Sequence, residues 1–246
     1  MNKIYLKLLS LFISVFDYPN KKKVLNFFKR NLIIKKLTII DIGAHKGETI
    51  DFFVKNFNLE KIFSFEPNSA LFSELTNKRD YRNKIIEINN FGVGERAEIK
   101  KLNIMSESSS STFNDLNLDS KYYKRKNFIV NLFSQNKELI EKKQNIEIVN
   151  LSDFIRKKKI DKIDLLKIDT EGYEFNIIKG IDKKDFDNID FIYFEHHYDL
   201  MIKKNYKFSD INDYLNKNNF FQVFKIKMNF RNTFEYIYKN SKKIIN

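Results

Sequence analysis

The stretch from Thr38 to Thr49 constrains this chain more than any other. It reads as an apolar strand that closes on an acid, Asp41, then a glycine turn through Gly43 and Gly47, then a helix opening at Glu48. With no Cβ at either glycine, the backbone of such a turn approaches a nucleotide-like ligand closely. The whole chain of 246 residues holds 6 glycines and 2 prolines, yet Gly43, Ala44 and Gly47 fall within five positions. Small residues are placed here because a close backbone approach requires them.

The rest of the chain alternates apolar runs with helical patterns. Strands are expected at Leu37–Ile42, Lys61–Phe65, Lys84–Ile88, Ile163–Ile168 and Asp190–Phe194, and helices at Glu48–Phe57, Ser69–Asn77, Leu151–Lys158 and Tyr173–Lys179. That alternation predicts right-handed crossovers and a parallel sheet covered on both faces. Near the end, Ser209 is expected to cap a helix running to Asn216. Phe220–Lys227 and Thr233–Lys239 then lie so close together that they must pair antiparallel. The expected fold is α/β: a mostly parallel seven-stranded sheet, helices on both faces, and a C-terminal antiparallel hairpin. Residues 1–36 read as an N-terminal helical appendage and 37–246 as one domain. Within it, the serine-rich and then polar segment 105–145 reads as a loop and helical insertion, a substrate lid.

The apolar run Ile4–Phe16 is too short to span a bilayer, and no small-residue cleavage site follows it. It reads as a helix packed on the domain, with weak peripheral membrane contact as the alternative. No integral membrane segment and a cytoplasmic location are expected. The absence of cysteine excludes disulfides and thiolate metal sites.

The net charge of +13 raises the question of a nucleic-acid partner. There are 38 lysines against 7 arginines, with 30 asparagines, all residues that track AT-rich codons or their absence. The lysines are scattered, whereas a phosphate-tracking surface clusters arginine with interleaved aromatics. Codon bias accounts for the charge, and no nucleic-acid partner is expected. Attraction to an anionic substrate stays open.

Four segments fall at the C-terminal ends of the expected parallel strands, the edge along which open α/β sheets bind ligands. The first is the Asp41–Thr49 turn. The second, Phe65-Glu66-Pro67-Asn68, places a carboxylate where it can accept hydrogen bonds from both ribose hydroxyls of a nucleoside; Pro67 fixes the turn, and Asn68 or Ser69 caps the next helix. The third, Lys167 to Glu174, gathers Asp169, Glu171 and Glu174. Carboxylates this close repel, so they have a partner or a task, and Lys167 is a ready partner for one of them. The fourth runs from Tyr193 to Tyr198 and carries His196 and His197, which with His45 are the three histidines of the chain. A histidine at this edge acts as base or metal ligand, or is simply solvated. The first turn spaces its glycines Gly-x-x-x-Gly, unlike the Gly-x-Gly-x-x-Gly of dinucleotide folds, and no Gly-Lys-Ser/Thr loop is present. A nucleoside with a zwitterionic tail fits better than a pyrophosphate.

Taken together, Asp41–Gly47, Phe65–Asn68, the serine-rich Ser108–Phe113, Leu166–Glu174 and Glu195-His196-His197 resemble the FkbM family of S-adenosylmethionine-dependent methyltransferases. The resemblance covers about residues 37–200, and the run of Lys167, Asp169, Glu171, Gly172 and Glu174 is its most specific part. It implies the Rossmann-like methyltransferase fold and S-adenosylmethionine as cofactor, held by Asp41, Gly43, Ala44, His45, Gly47, Glu66, Pro67, Asn68, Asn90, Gly92 and Asp169. It also implies methyl transfer to a hydroxyl of a sugar or glycan; no metal ligand is singled out, and metal dependence stays open. Asp169 is the first choice of base, with Glu171 and His197 as alternatives; Asp169 orienting the cofactor is the other option. A non-catalytic cofactor-binding module and a nicotinamide-dependent oxidoreductase are the competing readings. Acceptor identity and oligomeric state are not legible.

Overall fold

The computed structural model describes residues 18–32, 36–78, 84–105, 111–133, 140–229 and 231–243. The Ile4–Phe16 segment and most of the serine run lie outside the described residues. A helix over 18–31 (α1) leads into β1 (Leu37–Ile42), α2 (Glu48–Asn56), β2 (Leu59–Phe65), α3 (Ser69–Asn77) and β3 (Ile86–Asn89). After β4 (Gly92–Gly94) and β5 (Glu98–Met105) come α4 (Lys121–Phe133), β6 (Ile140–Asn150), α5 (Leu151–Lys158) and β7 (Ile163–Ile168). The chain finishes with α6 (Glu174–Lys179), α7 (Lys183–Phe186), β8 (Ile189–His197), α8 (Phe208–Lys217), β9 (Phe220–Lys227) and β10 (Thr233–Asn240).

Seven strands form one sheet in the order β3-β2-β1-β7-β8-β10-β9. The pairs β3-β2, β2-β1, β1-β7 and β7-β8 are parallel, and β10 is antiparallel to both β8 and β9. The order reverses between β1 and β7, so the crevice at that switch point faces the ends of β1, β2 and β7. This is the α/β architecture that the alternation of patterns predicts.

Period-two alternation splits the core between the two faces. Ile40, Ile42, Phe63, Phe65, Leu166 and Phe194 point to one face and pack with residues of α5, α6 and α8. Leu37, Ile39, Ile62, Leu165, Phe191 and Tyr193 point to the other and pack against α1 and α2. Helix α1 is integral to this second layer: Phe28 is fully buried, with its ring 5.7 Å from that of Tyr193. Towards the C-terminal edge the second face turns polar. Ser64, Asp41 and Lys167 lie in register across β2, β1 and β7, and Glu195 lies opposite Glu235 across β8 and β10.

Two differences from the sequence-based expectation have local causes. Helix α8 begins one residue before Ser209, with Lys207 at its cap, where the Lys207 N–H donates to Asp210 Oδ2 at 2.7 Å. The other is a second sheet, β4-β6-β5, in which the long β5 and β6 pair antiparallel; β6 begins at Ile140, inside the expected 105–145 insertion. The charged Glu98, Lys100 and Lys101 break the apolar signal of β5. Among its described residues, the 105–145 segment carries a short bridge at Thr112, another at Leu116, and α4. Asp169 follows β7, and its N–H donates to the Ile42 carbonyl at 2.9 Å.

Candidate active site

The turn after β1 is tightly built. Gly43 and Ala44 both donate their N–H groups to the Phe65 carbonyl at 3.0 Å, His45 donates to Glu66 Oε2 at 2.7 Å, and Gly47 donates to the Ala44 carbonyl at 2.7 Å. These amides are therefore engaged inside the protein. The turn thus offers a ligand none of these four N–H groups as a free donor. Gly43 adopts φ +91°, and a Cβ on it would lie 1.9 Å from the Asp169 carbonyl oxygen. The close approach that demands glycine here is that of the neighbouring strand end.

Glu66 links two turns. Its Oε2 takes the His45 N–H, and its Oε1 takes the Asn68 N–H at 2.8 Å. Burial pushes its pKa up to about 7, against the pull of those two N–H groups. Asn68 caps α3 through Oδ1 and the Ala70 N–H. Asn90 stands behind Glu66, its Nδ2 donating to the Glu66 carbonyl at 2.9 Å.

An open cleft lies over these ends. Of the residues singled out from sequence, Gly43, His45, Glu66, Pro67, Gly92, Asp169 and Glu171 line it. Ala44 is buried in the second core layer, Gly47 starts α2 at φ 87°, and Asn68 and Asn90 brace the Glu66 turn. Asp41 is fully buried on β1, with Ser64 Oγ at 3.4 Å from its Oδ2, and burial raises its pKa to about 6. Sequence reasoning missed the apolar wall of Phe91, Val93, Leu102 and Phe113. The one signal for it was the pair Gly92 and Gly94: a Cβ on Gly92 would lie 2.5 Å from Ile148 Cδ1 and 2.9 Å from Phe113 Cζ. Thr170 also lines the cleft, and its buried Oγ1 has no hydrogen-bond partner.

Beyond the cleft the polar half of the sheet face is strongly coupled. Lys167 Nζ lies 2.9 Å from Asp169 Oδ2. Burial opposes charge on Asp169, but Lys167 outweighs it and holds the carboxyl below its ordinary range. Burial and the neighbouring Asp169 push Glu195 up to about 8, and burial also raises Glu171. His197 lies among carboxylates, with Nε2 3.2 Å from Glu171 Oε2 and 3.5 Å from Glu195 Oε1, and Nδ1 3.5 Å from Asp199 Oδ2. Burial disfavours its charged form, yet Glu171, Asp199 and Glu195 overcome this and bring its pKa up to about 10. His196 alternates to the opposite face. It packs 4.8 Å from the Tyr198 ring and 5.7 Å from Phe208, and burial lowers its pKa to about 3. It is a core histidine, apart from the cleft.

Glu171 adopts φ +50° and Gly172 φ +89°, so two consecutive residues are left-handed. A side-chain-bearing residue is strained there and persists because neighbours over-determine it. Thr112 Oγ1 donates to the Glu171 carbonyl at 2.8 Å, Asn114 Nδ2 donates to the Gly172 carbonyl at 2.5 Å, and the Gly172 N–H donates to Glu174 Oε1 at 2.7 Å. Glu174 is itself buried and takes the Tyr206 hydroxyl at 2.6 Å. The segment after the serine run thus holds the acidic turn in place.

Among the described residues no helix is long and apolar enough to cross a membrane, and no group of three or more His, Cys, Asp or Glu is arranged to hold a metal ion.

The chain is similar to several known proteins. Methyltransferase 1 of Beauveria bassiana (strain ARSEF 2860) is 23% identical over 192 residues, covering 72% of this chain and 75% of that protein. Among solved structures, the METTL16 MTase domain aligns with 90% of this chain and 67% of its own at 9% identity and a TM-score of 0.49. TrmK of M. capricolum, in complex with S-adenosyl-homocysteine, aligns with 88% of this chain and 67% of its own at 13% identity and a TM-score of 0.48. The model of the methyltransferase FkbM domain matches residues 41–221, which take in every segment that lines the cleft. The chain belongs to the FkbM family of S-adenosylmethionine-dependent methyltransferases.

Proposed function

We propose that the protein transfers a methyl group from S-adenosylmethionine to a hydroxyl of a sugar or glycan. The observation that carries this reading is one cleft lined at once by Glu66, the glycine turn and the Asp169–Glu171 strand end, with a carboxylate-rich sheet face continuing beyond it. The residues present fit the cofactor: Glu66 for the ribose hydroxyls, Phe91, Val93 and Leu102 for the base, and the glycine turn with Asp169 for the zwitterionic tail. The unpartnered Thr170 hydroxyl in the wall is a further polar group awaiting a ligand. S-adenosylmethionine supplies an electrophilic methyl group on a sulfonium, which an acceptor oxygen displaces in line.

A sugar hydroxyl is a poor nucleophile, so the protein must align it and take its proton. Asp169 is already neutralised by Lys167, which favours a role in orienting the cofactor. Glu171 faces the cleft with a raised pKa, which makes it a better proton acceptor than an ordinary carboxylate. Glu171 accepts the hydroxyl proton. His197, held as a cation, fixes the Glu171 carboxylate rather than acting as a base itself. Hydrogen-bond acceptors along Glu195 and Glu235 suit a polyhydroxylated acceptor, and the scattered lysines argue against a nucleic acid. Incubation with methyl-labelled S-adenosylmethionine and a panel of 4-nitrophenyl glycosides, alongside host RNA, tests the reading. Label in a glycoside supports it. Label in RNA alone overturns the acceptor class, and binding of S-adenosylhomocysteine without transfer to any fraction leaves a non-catalytic module.

A further inference from the structure

Glu171 is the acid of this site whose backbone is strained, and its carboxylate also has a built support. His197 stands behind it, with Nε2 3.2 Å from Glu171 Oε2. On the far side of the ring, Nδ1 is 3.1 Å from Thr233 Oγ1 and 3.5 Å from Asp199 Oδ2. Side-chain exposure falls along this line, from 18% at Glu171 through 12% at His197 to 9% at Asp199. Asp199 is fixed in turn, because its Oδ1 takes the Met201 N–H at 3.0 Å. A carboxylate, an imidazole and a second carboxylate thus run from the cleft into the protein. The inner acid is anchored on backbone, and the outer one is exposed to the acceptor side.

We infer that Asp199 is a positioning residue for methyl transfer, holding the His197 ring beside the carboxylate of Glu171 as its ion-pair partner. The assignment rests on the methyltransferase reading above for its purpose, but its geometry stands independently of it. The two ring nitrogens have distinct tasks, as paired supports of an imidazole require. Nδ1 is tied to Asp199 and Thr233, which leaves Nε2 to face Glu171. Without the inner carboxylate the ring loses its support at Nδ1 and gives up its proton at a lower pH, and the ion pair with Glu171 is less firmly placed.

Other charges face this line and set the background. Glu171 is also faced by Asp169 from the end of β7, Glu174 from α6, and Lys126 and Tyr122 from α4. Lys204, after β8, stands near Glu171 and Asp199 as well. His197 is also faced by Glu195 from its own strand, by Glu174, and by His196. Of these, Lys204 and Tyr122 also face Asp199, while Asp199 is the carboxylate at 3.5 Å from Nδ1.

The chain has three histidines, so carbon- and nitrogen-labelled histidine gives three ring signals that proton NMR follows through a pH titration. In the wild-type protein one signal stays protonated until about pH 10, the value expected of His197. In D199N that midpoint falls by about one pH unit or more, the loss of one close carboxylate. E171Q, read in the same way, lowers it as well and serves if D199N does not fold. A wild-type spectrum with no ring protonated above about pH 8, or a D199N titration that overlays the wild type, overturns the inference. S-adenosylhomocysteine added to the same samples separates the two claims. A charged His197 in a protein that fails to bind the nucleoside overturns the methyltransferase reading and leaves the Asp199 assignment intact.

Discussion

A Cβ placed on Gly43 would lie 1.9 Å from the carbonyl oxygen of Asp169, so the glycine turn after β1 and the acidic turn after β7 are in direct backbone contact. Neither can move without the other. Gly43→Ala combines that overlap with an unfavourable φ of +91°. It is expected to cost at least about 2 kcal/mol of stability and to abolish binding of S-adenosylhomocysteine. Thermal unfolding and calorimetry on the same preparation check this; an alanine variant with wild-type melting and affinity refutes the contact.

Lys167 pairs with Asp169, whose side chain is 36% exposed, and the fully buried Asp41 stands beside them. Removing the cation leaves the buried Asp41 without its main positive neighbour. Lys167→Met is therefore expected to destabilise the fold by about 1–3 kcal/mol, less than the loss of a partner in a fully buried pair. Asp169→Asn keeps shape and removes charge, so it should unfold far less readily than the lysine variant while losing turnover. Denaturant midpoints for the two variants give the comparison.

Glu66 has to be ionised to accept two ribose hydroxyls while it holds two backbone N–H groups. Burial sets its pKa at about 7. Between pH 8 and pH 6 the dissociation constant for S-adenosylhomocysteine should rise about tenfold, one proton being displaced on binding. In Glu66→Gln the affinity is weaker and flat over the same range. A wild-type affinity that does not vary between these pH values contradicts the assignment.

Thr112 and Asn114 hold the strained turn at Glu171 and Gly172. Loss of the threonine hydroxyl should cost about 1–2 kcal/mol and reduce kcat with little change in cofactor affinity. Thr112→Ser, which keeps the donor, restores what Thr112→Val removes. Equal loss in both variants points to the methyl group instead of the hydroxyl.

His197 gives a prediction for stability against pH. Its folded pKa of about 10 lies above the unfolded value near 6.5, so its contribution is complete below about pH 6.5 and is lost as pH rises through 10. The raised Glu66 and Glu195 have already lost theirs by about pH 8. From pH 8 to 10 the melting temperature of the wild type should fall, and His197→Gln should flatten that slope.

Strand and helix order was legible because the central strands carry apolar residues on both faces, as Leu165 and Leu166 do in β7, and each is followed by a polar turn. The acid at Glu66 and the acidic turn at Asp169–Glu174 were legible for a related reason: a charge ending an apolar strand is costly to desolvate and stands out against its neighbours. The β4-β6-β5 sheet was not, since β4 is three residues long and β5 opens on charged residues with Ile99 and Lys101 exposed. Nor were the roles of His196 and His197 separable by sequence. One residue of offset sends the first into an aromatic cluster and the second among carboxylates. Asp199 was missed because nothing in its own neighbours in sequence marks it; its partner is two positions back, and only the bend after β8 returns it to the ring.

The two N–H groups that hold Glu66 come from separate loops, one after β1 and one after β2, and both are in place with the carboxylate already aimed into the cleft. A nucleoside arriving there meets a template instead of organising one. The entropy of fixing those loops belongs to folding rather than to association. Binding should accordingly show a heat-capacity change no larger than the ligand's own buried apolar surface demands, and amide exchange at His45 and Asn68 should be slow in the free protein as well as in the complex.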